Sequence, residues 1–345
     1  MATLQDIADR CGVSTVTVSN VLNGKIKGSW PSSAARAQRV REVANELGYR
    51  VDWRAKALKT KRTYMVGLLT TDKPETQVIE GRVLAGLIEA FGEASYQLVF
   101  VRVYKDAPTA DFADARFDGI VIDYHLEAEE LEVIRRAQLP AVVINAPAPS
   151  DDVLSVMPDH LEAGALAARH LLELGHRRIG FVDSSESEQK HWPRHMIEQW
   201  RAGVRREMRN AGCGDGLIEI EPRNGDAPET ADTYRPLLTS LYAGPDRPTA
   251  LIANNGTRAA RVALRLSESL GLRCPDDLSV VSMVDEPAMD WLSPRITSVA
   301  LPFRDLGREA ARQLVGRIED ADPEPRRPRA ELIVRDSTAP PPPGA

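Results

Sequence analysis

The first fifty residues carry apolar positions at helical spacing. Thr3 and Asp6 stand three apart as a capping box ahead of Ile7 and Ala8, and Gly12 supplies the left-handed turn that ends a helix. Ser14 then caps a second helix running from Thr15 to about Asn23, with Val18, Val21 and Leu22 inward and Thr15, Val16, Ser19 and Asn20 outward. A third helix starts at Ser32 or Ser33 and runs to Leu47, with Val40, Val43, Ala44 and Leu47 inward and Gly48 at its end. From Met65 the pattern changes to short uninterrupted apolar runs separated by helical stretches. Runs at 66–69, 98–101, 120–122 and 141–144, then 178–182, 217–220, 250–253 and 278–281, read as buried parallel strands. The pattern predicts an all-α head followed by an α/β body of two doubly wound lobes, with a ligand cleft at the carboxyl ends of the strands.

Charge divides the chain at the same place. Residues 1–63 hold 12 Lys and Arg against five acids, and the rest holds 32 against 45, so a head of +7 precedes a body of −13 within the net −6. A basic head on an acidic body fits polyanion binding by the head alone. Cys11, Cys213 and Cys274 are scattered and read as reduced thiols, not as a disulfide framework or zinc site. Neither a run of about 18–20 apolar residues nor the features of a signal peptide occurs, so a cytoplasmic, nucleoid-associated protein is expected. No Gly-rich phosphate loop, Gly-x-Ser-x-Gly elbow or metal-ligand spacing appears, so no enzyme, cofactor or metal is expected.

Two short helices joined by a glycine turn make a helix-turn-helix, whose second helix enters the major groove. The run Thr3-Leu4-Gln5-Asp6-Ile7-Ala8, then Gly12-Val13-Ser14, Thr17-Val18-Ser19, Val21-Leu22-Asn23-Gly24 and Glu46-Leu47-Gly48-Tyr49, resembles the lactose/galactose repressor family over the whole head. The resemblance implies a DNA-binding domain at 1–50, a hinge helix at 51–63 and an effector and dimerisation domain at 64–345. It places Thr3, Ser14, Thr15, Val16, Thr17, Ser19, Asn20, Asn23, Tyr49, Ala55, Leu58 and Lys59 at the DNA. Within that set Thr15, Val16 and Asn20 are expected to read bases. The segment 54–62 matches the family's hinge helix, whose equivalent of Leu58 is wedged into the minor groove. Two departures stand out: a loop at 25–30 about four residues longer than the family pattern, and Asn20 where the family usually has arginine or another large polar reader. Asparagine suits adenine, and arginine suits guanine.

The body resembles the family's sensor, which is similar to periplasmic sugar-binding proteins. Leu174-Gly175-His176, Ala253-Asn254-Asn255, Pro275-Asp276-Asp277-Leu278, Pro294-Arg295-Ile296-Thr297-Ser298 and Leu306-Gly307-Arg308 carry the likeness. It implies a first lobe of about 64–157 plus 292–322 and a second of about 158–291 plus 329–338, with crossings near 145–157 and 285–295. Asp72, Asp159, Trp200, Asn254, Asp285 and Phe303 are the effector candidates, with Trp192 and Trp291 as further stacking surfaces that fit core packing better. The family's arginine three residues before Gly203 is Trp200 here, with Arg201 beside it, and its pair of strand-end aspartates becomes Val284-Asp285. The expected ligand is therefore polar, but a simple hexose fits less well than the family suggests. His176 reads as structural, and residues 340–345 as a disordered tail that favours a dimer over a zipper-built tetramer. The reading is a homodimeric transcription regulator, most simply a repressor, on a pseudo-palindromic operator. A solute-binding protein of a transport system is the alternative.

Overall fold

The computed structural model describes residues 2–22, 31–49, 57, 60–71, 81–103, 116–122, 128–183, 194–220, 235–244, 247–254, 258–259, 262–263, 270–321 and 323–344. The chain forms two compact units, Met1–Tyr64 and Met65–Ala345.

The first unit holds α1 (Leu4–Cys11), α2 (Thr15–Leu22) and α3 (Pro31–Glu46). Its starts and stops are local chemistry. The Asp6 N–H donates to Thr3 Oγ1 at 3.3 Å, and the Thr3 N–H donates to the Asp6 carboxylate at 2.8 Å. The Thr3 N–H first, and then the Thr3 hydroxyl donating to the carboxylate at 2.9 Å, hold the Asp6 carboxyl below its ordinary range. Gly12 closes α1 at φ 62, and Gly48 takes the same angle beyond α3. Ile7, Ala8, Val18, Val21, Ala37, Val40, Val43 and Ala44 meet in one buried cluster. Each fully buried aliphatic side chain there is worth about 1.5–3 kcal/mol.

The second unit contains two sheets. β1 (Met65–Thr71), β2 (Gln97–Val103), β3 (Gly119–Ile122), β4 (Ala141–Ile144) and β5 (Val153–Val156) form a parallel five-stranded sheet in the order β2-β1-β3-β4-β5. α4 (Gly81–Glu93) and α5 (Ala128–Ala137) belong to this lobe. β6 (Ile179–Val182), β7 (Leu217–Ile220), β8 (Ala250–Ala253), β9 (Ser279–Ser282), β10 (Thr297–Ala300) and β11 (Glu331–Ile333) form a six-stranded sheet in the order β11-β10-β9-β8-β6-β7. Only β11 runs antiparallel to its neighbour in that sheet. α6 (His160–Glu173), α7 (Arg194–Asn210) and α8 (Arg235–Ala243) belong to the second lobe, and α9 (Phe303–Ile318) packs on α4, β3 and β4 of the first.

Lobe membership differs from the sequence expectation at both crossings. The stretch 145–157 is not a bare connection: it contains β5, whose Val153 to Val156 pair with Ala141 to Ile144. The expected return to the first lobe at 292 is also too early. β10 pairs with β9 and β11 in the six-stranded sheet, and only α9 joins the first lobe. Residues 283–296 stay with the second lobe because Met289 and Ile296 are buried in its core.

Among the described residues, each lobe has a pair of helices that meet glycine to backbone. A Cβ on Gly86 of α4 would strike the backbone of Arg304, and one on Gly307 of α9 the backbone of Val83. In the other lobe a Cβ on Gly164 of α6 would strike the Trp200 carbonyl of α7, and one on Gly203 the Leu161 carbonyl. The absence of those four methyl groups lets the backbones approach to van der Waals distance.

The end of the chain is docked, contrary to the disordered tail expected from its prolines. The Ala339 N–H donates to Ser279 Oγ at 3.0 Å, its carbonyl accepts from His176 Nε2 at 2.9 Å, and Pro341 packs beside Gly175. His176 Nδ1 pairs with the Thr249 hydroxyl at 2.8 Å, so both ring nitrogens are spent on structure. Burial lowers the pKa of His176.

Candidate nucleic-acid interface and ligand cleft

On the first unit, α2 turns Val18 and Val21 inward and leaves Val16 66% exposed. That exposure marks the outward line of the helix. Asn20, one turn further on the same line, is half-buried, and its amide makes no hydrogen bond to another described residue. Ser14 and Thr17 hydroxyls bond each other at 2.9 Å, and Ser14 Oγ accepts the Thr17 N–H at 3.2 Å, which caps α2. Thr15 and Ser19 are half-buried on the same helix, Thr3 is exposed in its capping box, and Tyr49 packs against the core cluster. Asn23, Ala55, Leu58 and Lys59 lie outside the described residues.

On the second unit, parallel pairing puts the residues after β6, β8 and β9 at one edge of the six-stranded sheet. Asp183 and Asn254 follow β6 and β8, and Asn254 Nδ2 donates to Asp183 Oδ1 at 3.4 Å. Arg201 of α7 pairs with Asp183 and reaches Glu219 of β7 at 3.7 Å. This arginine is one residue past the family's position and lies next to two buried polar groups, Asp183 and Asn254.

Asp285, beyond β9, is already committed. Its carboxylate accepts from Arg335 Nη1 at 2.8 Å and from the Ser298 hydroxyl. Its carbonyl accepts from Arg82 Nη2 at 3.0 Å. The Arg82 guanidinium lies 4.9 Å from the centre of the buried Phe303 ring, so α4 and α9 of one lobe meet the strand ends of the other through Arg82, Asp285 and Phe303. Val284, which replaces a family aspartate, is buried.

Trp200 is not on the cleft wall. It is fully buried between α6 and α7, because Gly164 and Gly203 let the helices close over it. Trp291 is 84% exposed, and Trp192 and Asp72 lie outside the described residues. Asp159 caps α6, its Oδ1 accepting the Glu162 N–H at 2.8 Å. The structure thus gathers Asn254 with Asp183 and Arg201, and Asp285 with Phe303 and Arg82. It leaves Asp159 at a helix start and Trp200 in the core.

Sequence reasoning missed a buried cluster at the lobe junction. His160 Nε2 lies 2.9 Å from Asn145 Oδ1, and the Asn145 amide donates to Met196 Sδ at 3.8 Å. The His160 ring meets Trp200 edge-on at 5.8 Å and His195 at 6.3 Å. Burial, then the neighbouring His195, lowers the His160 pKa to about 4. An imidazole that is neutral when folded but has a pKa of about 6.5 when unfolded contributes stability that is complete above pH 6.5 and lost as pH falls toward 4. The full loss is about 3 kcal/mol for this one group. The urea midpoint is expected to fall between pH 7 and about 4.5, and His160→Gln should flatten the upper part of that fall. An unchanged profile in the variant would remove His160 from the account. The signal in sequence was a histidine directly after a helix-capping aspartate, which spacing alone does not separate from a surface residue.

Residues 3–52 match the sequence profile of bacterial regulatory proteins of the lacI family, and residues 168–338 that of a periplasmic binding protein-like domain. The HTH-type transcriptional regulator DegA of Bacillus subtilis is 30% identical over 98% of each chain. The HTH-type transcriptional repressor PurR of Vibrio vulnificus is 28% identical, also over 98% of each. The lac repressor dimer bound to operator and the anti-inducer ONPF shares the fold at a TM-score of 0.70 and 21% identity, covering 98% of this chain and 99% of that one. The CelR–cellobiose complex follows at 0.63 and 25%, covering 98% and 100%.

Proposed function

The chain belongs to the lacI family of bacterial regulatory proteins and is a transcription regulator, and from that premise we propose that it is a homodimeric repressor released or engaged by a small polar effector. Two α2 helices enter successive major grooves of a pseudo-palindromic operator. Thr15, Val16 and Asn20 meet base edges, Val16 against a thymine methyl and Asn20 against adenine. Thr3, Ser14, Thr17, Ser19, Asn23 and Tyr49 hold the phosphates. Ala55, Leu58 and Lys59 belong to the hinge, with Leu58 wedged into the minor groove at the operator centre. The observation that carries the reading is α2 itself: one face is locked into the core, and the other presents an exposed valine and an asparagine amide with no hydrogen bond to another described residue.

The effector enters the cleft bordered by Asp72, Asn254, Asp285 and Phe303, with Asp183 and Arg201 added to the sequence candidates. Val284 removes a carboxylate that would grip a sugar hydroxyl, and Asp285 is held by Arg335, so this cleft recognises something other than a simple hexose. Dimerisation uses the sensor unit, whose first lobe leaves Ile88 of α4 53% exposed and Phe100 of the edge strand β2 57% exposed. No described helix is long and apolar enough to cross a membrane.

The test is binding of full-length protein to duplexes selected from a random pool. Tight, sequence-selective binding is expected, with log K falling by about 0.9 per neutralised phosphate for each unit of log salt. Candidate metabolites should shift that affinity by about 5- to 150-fold. Equal affinity for selected and random duplexes at low salt would end the proposal.

A further inference from the structure

The chain passes between the lobes at 157–159, at 301–302 and at 319–330. The first two passages are very short, and each holds a proline, Pro158 or Pro302. A proline ring fixes its own φ and keeps the residue before it extended, so both are stiff joints. The third passage is much longer, running from the end of α9 to the start of β11. Fully extended, a dozen residues reach ~40 Å and four reach ~13 Å. A free passage of that length would place little limit on how the lobes turn.

It is not free. Glu309, Arg312 and Gln313 lie on one face of α9 and grip its backbone. The Arg326 N–H donates to Glu309 Oε1 at 2.9 Å. Arg312 Nη2 donates to the Glu324 carbonyl at 2.6 Å, and Gln313 Nε2 to the Pro323 carbonyl at 3.2 Å. Arg312 and Gln313 also donate to the Glu309 carboxylate, at 2.6 Å and 2.8 Å, so the gripping side chains hold one another in place. One turn on, Gly316 is bare where the Pro323 ring sits, and a Cβ there would strike that ring.

Glu309 is only 5% exposed. A carboxylate that deep is costly unless its lone pairs are taken, and Arg312, Gln313 and the Arg326 N–H take them. A solvated linker has no use for such a group.

We propose that Glu309, with Arg312 and Gln313, is a catch that makes 323–326 part of the first lobe and leaves 327–330 as the bending segment. Pro328 stands in that segment, so the third joint matches the other two, short and bearing a proline. Glu309 is thus a positioning residue: it replaces a slack tether with a third joint and limits how far the lobes swing about the cleft. The inference rests on the two-lobed fold and on neither the operator nor the identity of the effector.

The test is hydrogen exchange followed by mass spectrometry on the full-length protein, without DNA or ligand, in the parent, Glu309→Leu and Glu309→Gln. Peptides covering 319–330 should be protected in the parent and exchange about tenfold or more faster in Glu309→Leu. Glu309→Gln keeps an oxygen for the Arg326 N–H and should fall between the two. A released catch also lets the other joints bend. The His160 and Phe303 N–H groups, which donate to the Pro158 and Leu301 carbonyls at 3.0 Å and 2.8 Å, should then exchange roughly threefold faster or more. Peptides from β1 and β8 should be unchanged, showing that the fold is intact. If they too speed up in Glu309→Leu, Arg312→Ala decides by the same criteria, since its side chain is 31% exposed. The proposal is overturned if 319–330 is unprotected in the parent, or if the variants leave its exchange as it was. It also fails if 319–330 alone speeds up, since the catch would then hold the passage without limiting the lobes.

Discussion

Gly164→Ala is expected to destabilise the sensor unit by about 3 kcal/mol or more, although helix propensity alone predicts the opposite sign. Alanine in the middle of a helix normally gains about 1 kcal/mol over glycine. Here the new methyl group would land on the Trp200 carbonyl, which is main chain and cannot rotate away. The two helices would have to part along their whole contact, and the burial of Trp200, Ala165, Ala168 and Val204 would loosen with them. A gap of even one ångström forfeits a quarter to a half of each affected dispersion contact, by rough estimate from the shape of the potential. Gly92→Ala is the control: Gly92 is on α4, exposed, with nothing within 4 Å of an added Cβ. That substitution should be neutral or stabilising by up to about 1 kcal/mol. Denaturant unfolding followed by tryptophan emission measures both. A Gly164→Ala protein as stable as the parent would show that the α6–α7 approach is not close-packed.

Those glycines show which parts of the molecule the sequence displays and which it hides. α1 and α2 are legible because their signals are local: Thr3 and Asp6 sit three apart, Gly12 closes one helix and Ser14 opens the next. The strands β1, β3, β4, β6, β8 and β9 are legible because each centres on buried apolar residues, Val280 and Val281 between two serines in β9. β5 is not, since its Leu154 and Ser155 are half-exposed at a sheet edge and four residues carry little periodicity. Nor is the lobe to which β10 belongs, because that is decided by pairing with β9 and β11 and not by anything in its own sequence.

The site is hidden for the same reason. Asp285 reads as a cleft residue until Arg335, fifty positions away, is found to hold its carboxylate. Asp183 and Arg201 are unremarkable in sequence and become a pair only when α7 lies over β6. Trp200 stands where the family has a polar contact, but the glycines on either side of the helix interface assign it to the core. The docked tail is the converse case. Proline-rich sequence suggests no structure, yet Ala339 supplies a donor and an acceptor that His176 and Ser279 bind.

Asn20→Arg is expected to change which operator the protein selects, from adenine to guanine at the contacted position, with no loss of fold. Asn20 lies one helical turn from the exposed Val16, outside the buried cluster that Val18 and Val21 join. A polar exchange there should alter stability by no more than about 0.5 kcal/mol. An asparagine amide matches N6 and N7 of adenine, and a guanidinium matches O6 and N7 of guanine. Each such bidentate contact discriminates by about 1–3 kcal/mol. A dimer makes the contact twice, so the preference should shift by about 2–6 kcal/mol, or roughly thirtyfold to ten-thousandfold. Val16→Ala should do far less, since it removes only apolar contact with a thymine methyl. Parallel selections from a random pool with the parent and the variant give the answer directly. If Asn20→Arg retains the parent's adenine, α2 is not reading bases through this residue, and recognition must come from elsewhere on its outer face.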